Sequence, residues 1–103
     1  MDYQLVIQLP AESISDFDAL VQLEDKMIEA VGGSAEVDGH DFGSGEANIF
    51  VITSDPTATF GLIRGELEDQ GVLGKCTVAH RELDGEEHTV LWPENFTGEF
   101  TVQ

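Results

Sequence analysis

The sequence predicts an α+β domain, and three observations carry that expectation. Alternating apolar residues open the chain, a helical period follows them, and the segment from Ala47 to Thr53 is apolar on both of its faces. Continued to the end, the pattern reads strand, helix, strand, strand, helix, strand. That is the split βαβ order of a ferredoxin-like antiparallel sheet, with two right-handed crossovers placing both helices on one face. The 103 residues, 41% of them hydrophobic, suffice for one domain spanning 1–103.

Each element has its own signal. In YQLVIQLP, residues 3 to 10, Tyr3, Leu5, Ile7 and Leu9 share one face while Gln4, Val6 and Gln8 share the other. Phe17, Leu20, Val21, Met27, Ile28 and Val31 then recur at helical spacing; Ser15 and Asp18 form a weakened capping box, and Gly32 with Gly33 supplies the exit. Ala35, Val37 and Gly39 alternate with Glu36, Asp38 and His40, as in an edge strand with one wet face. The apolar strand at 47–53 follows, and with the first strand it is expected in the middle of the sheet. Asp55 caps a second helix, Pro56 takes its first position, Phe60, Ile63 and Leu67 form its buried stripe, and Gly71 ends it. VLGKCTVAHREL, residues 72 to 83, reads as a strand with Cys76 inside it, and HTVLW returns beside it. The hydrophobic residues Val90, Leu91, Trp92, Phe96, Phe100 and Val102 predict an extra C-terminal strand and a packed extension.

Two apolar features point to association. Val6, with Phe50 or Val51 according to register, is expected exposed on the helix-free face of the sheet, where a homodimer would cover it. Gly61 and Gly65 each cost a helix ~1 kcal/mol relative to alanine. Their spacing puts them on one face, for close approach by the first helix or by a second protomer.

The formal charge of −17, from 21 acidic and 4 basic side chains, narrows function more than any motif does. The carboxylates run from Asp2 to Glu99, so the charge belongs to the folded surface. Nucleic acid and anionic membrane surfaces would be repelled. A basic protein partner, a surface kept soluble by charge, and adaptation to high salt remain. The lone Cys76, the lack of an apolar run near ~18 residues, and Asp2 where a signal peptide would be positive lead to an expected cytoplasmic location.

Chemistry-bearing residues are densest in GHDFGSGEANIF, residues 39 to 50. Asp38, His40, Asp41 and Glu46 offer oxygen and nitrogen ligands to a divalent metal, but their spacing departs from the twelve-residue calcium loop. Gly43, Ser44 and Gly45 lead into a strand, not the amino end of a helix, which speaks against a phosphate cradle. The preferred reading is a hairpin turn with Gly43 and Gly45 at positive φ and a bulge. A binding site at Asp38, His40, Asp41, Ser44 and Glu46 is the alternative, with no cofactor expected. This stretch resembles a motif in small uncharacterised bacterial proteins of about this length. The resemblance implies a bacterial origin, and it assigns no role to any residue.

Catalytic arrangements are hard to assemble. If Asp84 and Gly85 form a two-residue turn, His80 pairs with Thr89, Arg81 pairs with His88, and the two imidazoles leave opposite faces. His40 and His80 fall on strands three spacings apart, about 14 Å. A strand cysteine lacks a helix amino end to activate it, and Ser44 lacks a nucleophile elbow. The leading expectation is therefore a non-enzymatic binding or regulatory module that meets a basic protein, as small acidic inhibitors of cationic toxins do. A small enzyme or metal site using His40 with Asp41 is the alternative.

Overall fold

A computed structural model describes residues 2–10, 12, 17–43, 45–94, 96 and 100. Its elements are β1 (Tyr3–Pro10), α1 (Phe17–Val31), β2 (Ala35–Gly43), β3 (Glu46–Thr53), α2 (Pro56–Asp69), a 3-10 turn (Leu73–Lys75), β4 (Thr77–Glu82) and β5 (Thr89–Trp92). The fold is α+β. One antiparallel sheet has the order β2-β3-β1-β4-β5. Its first four strands follow the split βαβ order, and β5 departs from the four-stranded pattern by adding to the β4 edge.

The alternation in β1 explains the core. Leu5, Ile7 and Leu9 meet Val51, Ile49 and Ala47 of β3 in register, and all are fully buried. Leu20, Leu23, Met27 and Val31 of α1 and Phe60, Ile63 and Leu67 of α2 pack against the same cluster. Ile28 was expected in the α1 stripe but is 48% exposed, and Leu23 takes part in its place. The capping pair expected at Ser15 lies outside the described residues.

The α2 signals act locally. Asp55 accepts the Ala58 N–H at 3.1 Å, and Pro56 fills the first turn. At the other end Gly71 has φ 74°; its N–H reaches Glu68 O, and that of Val72 reaches Leu67 O, both at 3.0 Å. This is a Schellman closure, with buried Val72 beside buried Leu67 as its apolar contact. The Thr53 and Thr59 hydroxyls lie 2.7 Å apart in the core and fix the end of β3 to α2.

Four sequence expectations need correction. Residues 72–83 are not one strand: Leu73–Lys75 turn as a 3-10 helix, and Cys76 lies between that turn and β4. Gly61 and Gly65 face solvent, and a Cβ on either would meet nothing within 4 Å, so α1 does not approach them. Val6 is fully buried, as is Ala79 opposite it, so the helix-free face has a covered centre flanked by half-buried Phe50 and Ile52. Finally, the bulge lies between Val37 and Gly39, where Gly39 has φ 150°. One inserted residue reverses the alternation of the strand beyond it. His40 thereby turns from the wet face expected for it to the helix side.

Trp92 secures the sheet's added margin. Its Nε1 donates to Leu73 O at 2.8 Å, its ring centre lies 6.2 Å from that of Phe60, and the Arg64 guanidinium carbon sits 4.5 Å from its centre. A four-residue strand with few ladder bonds thus gains a side-chain anchor onto α2 and the 3-10 turn.

Candidate functional site

The GHDFGSGEANIF stretch forms the β2–β3 hairpin, with Gly43 paired to Glu46 and Gly45 at φ 81°. Ser44 lies outside the described residues. The remaining candidates do not converge. His40 pairs with Ile49 on the helix side, and its Nδ1 lies 3.0 Å from Glu24 Oε2 of α1. Asp41 pairs with Asn48 on the opposite face, Asp38 is exposed at the bulge, and Glu46 sits half-buried at the start of β3. His40 and Asp41 therefore do not form an acid–base pair, because strand alternation separates them. The His40–Glu24 contact joins an edge strand to a helix.

His40 and His80 are also apart. His40 pairs with Ile49, Ile49 with Ile7, and Ile7 with Val78, two residues short of His80. Three spacings of ~4.8 Å put the strands of His40 and His80 about 14 Å apart. His80 pairs with Thr89 as expected, although the connection is wider than the two-residue turn that implies this pairing. It is closed by Gly85 N–H on Glu82 O at 2.9 Å and by Arg81, whose Nη1 donates to the carbonyls of Glu82, Leu83 and Gly85, each at 3.0 Å. Among the described residues, no group of three or more His, Cys, Asp or Glu is placed to hold a metal ion. Nor, among those residues, is any helix long and apolar enough to cross a membrane.

Cys76 is 4% exposed, and burial pushes its thiol up to about 11, with a weak Sγ contact of 3.4 Å to Leu73 O. It packs as a small hydrophobe and is a poor nucleophile at neutral pH.

What the structure does assemble is a cleft of about 480 Å³ at the end of β1 and β4, lined by Tyr3, His80, Arg81, Glu86, Glu87 and Thr89 among others. Tyr3 and His80 meet edge to face, with ring centroids 5.9 Å apart. His80 Nδ1 is buried and has no hydrogen-bond partner. Sequence reasoning missed this cleft because Tyr3 and His80 are joined only by the β1–β4 register.

Burial lowers the pKa of His80 from its ordinary value of 6.5; burial, then Arg81, then His80 lower that of His88. Both rings are thus held neutral more strongly in the fold than in the unfolded chain. Their contribution to stability is complete above about 6.5 and declines as pH falls below that value toward the depressed folded pKa values. The melting temperature is expected to fall between pH 7 and pH 5.5 and to fall less in a His80→Phe, His88→Gln double variant. Equal slopes for the two proteins would refute the assignment.

A second feature is electrostatic. On α1 and β2 stand Asp18, Glu24, Asp25, Glu29, Glu36, Asp38 and Asp41, and Lys26 is the only lysine or arginine there. All of these carboxylates except Glu24 are exposed. Among the described residues the only side-chain ion pair is His40–Glu24. Arg64 is engaged by Trp92, and Arg81 by backbone carbonyls, so neither neutralises a carboxylate directly. The negative field of the α1–β2 flank is left open to an external cation.

Comparison of the chain with protein-family models, with curated proteins and with solved structures finds no match.

Proposed function

We propose that the protein is a non-enzymatic binding module that captures a basic protein on its α1–β2 flank. The observation that carries this reading is the set of seven carboxylates on those two elements with Lys26 as the one cation among them. Complementary charge accelerates encounter and fixes orientation, and it does so most where the surface has few internal counter-ions. The bulge at Asp38 and the exposed Glu36 and Asp41 disfavour uptake of an ordinary apolar strand along the β2 edge. A lysine- or arginine-rich surface suits that margin better. A cytoplasmic location is part of the same proposal, since a single free thiol suits a reducing compartment.

The test is affinity capture from native lysate at low and moderate salt, with two charge-reduced variants beside the wild type. Glu36→Gln, Asp38→Asn, Asp41→Asn is expected to weaken capture of a basic partner by about tenfold or more at low salt. A matched triple on the other side, Glu68→Gln, Asp69→Asn, Glu94→Gln, is expected to leave most of it. Added salt weakens the wild-type complex. Recovery of no basic protein at either salt concentration, or equal losses in both triples, would count against the flank. A homodimer is the competing arrangement, favoured by half-buried Phe50 and Ile52 on the helix-free face. Sedimentation at low and high salt reads it directly.

A further inference from the structure

We propose that the cleft between Tyr3, His80 and the β4–β5 connection binds a small organic cation that carries N–H donors and a flat apolar body. The site is separate from the α1–β2 flank, and neither proposal depends on the other.

Three features set the ligand class. The first is charge: Glu82, Glu86 and Glu87 line the cleft, and the adjoining depression of about 530 Å³ adds Asp2 and Asp84. Arg81 offsets part of this charge while its Nη1 is held by three carbonyls of its own turn, and the five carboxylates outnumber it. The second is the wall made by Tyr3 and His80, edge to face, which offers an aromatic surface to a planar group. The third is the unmet hydrogen bond at His80 Nδ1. A neutral imidazole has one acceptor nitrogen and one donor nitrogen. Because Nδ1 is sheltered as it stands, binding requires a half-turn about the Cβ–Cγ bond, which exchanges Nδ1 with Cδ2 and keeps the ring plane and the contact to Tyr3. A ligand N–H would then complete the bond. The low pKa of His80 agrees with this role, because a protonated ring would offer no acceptor and would repel the cation.

Benzamidine, benzoate and benzyltrimethylammonium separate these terms, since they share one ring and differ in charge and donors. The experiment follows two-dimensional NMR shifts of Tyr3, His80 and Thr89 during titration of the intact protein with each. Benzamidine is expected to give saturable shifts at those residues, and benzoate none. Benzyltrimethylammonium, a cation without N–H donors, is expected to bind at least about tenfold more weakly. His80→Phe, which keeps an aromatic ring against Tyr3, is expected to weaken benzamidine by a similar factor. The double variant Glu86→Gln, Glu87→Gln does so through charge alone, in exposed positions that folding does not need. Circular dichroism checks that each variant is folded. Saturation by benzoate at the same residues would overturn the proposal, as would equal affinity for both cations. Benzamidine shifts spread over the whole acidic surface without saturation would also overturn it.

Discussion

Replacing Trp92 by alanine is expected to lower the unfolding free energy by about 3 kcal/mol, the low end for losing a large aromatic side chain, since this one is only partly buried. Three contacts disappear together: the Nε1 bond to Leu73 O, the tilted packing on Phe60 and the cover over the Arg64 guanidinium. Trp92→Phe keeps much of the packing and loses the hydrogen bond, so it is expected to cost about 1 kcal/mol. Urea unfolding followed by far-ultraviolet circular dichroism measures both. The difference between the variants is the informative quantity, because it separates ring volume from the single polar bond. A loss below about 1 kcal/mol for alanine would mean that β5 is held without its anchor.

The opposite sign is expected on α2. Gly61→Ala together with Gly65→Ala should stabilise the protein by about 2 kcal/mol, ~1 kcal/mol for each glycine removed from a helix interior. Neither glycine needs a positive φ, and an added Cβ would have open space at both positions. A gain in stability without change in association would show the glycines to be tolerated, not used. A gain accompanied by loss of self-association would show instead that another backbone lies against that face, which also carries Leu62 at 48% exposure. Thermal melts and sedimentation on the same variant decide between these outcomes.

The fold was largely readable from local chemistry. Asp55 with Pro56, and Gly71 with Val72, mark the ends of α2 by interactions within a few residues, so sequence alone contains them. The two-faced apolarity of Ala47 to Thr53 likewise marks an interior strand. Failures occurred where a remote segment decides the outcome. Periodicity places Val6 on the helix-free face but does not say that this patch is covered, and it places Ile28 near the α1 stripe without saying where that stripe stops. His40 was misassigned for a different reason: one bulged residue inverted everything beyond Val37, and alternation has no warning for such an insertion.

The candidate site was less readable than the fold. Chemical density drew attention to the Asp38–Glu46 hairpin, yet strand alternation disperses its side chains across two faces. The cleft at Tyr3 and His80 depends on residues 77 positions apart, brought together by the pairing of Tyr3 with Glu82 and Leu5 with His80. Neither residue is unusual in its own neighbourhood. The α1–β2 flank was visible only as a share of the total charge, because its shortage of counter-ions beyond Lys26 depends on where Arg64 and Arg81 are spent.

The kink at Asp38 also bears on how molecules of this kind keep out of one another's way. A nine-residue margin of hydrogen-bonding backbone is long enough to seed stacking into fibrils, and here it is deterred by one irregularity and a few ionised groups. Acid strong enough to discharge those groups leaves the irregularity as the main barrier, so crowding at low pH is where this polypeptide is most exposed to self-templated deposition.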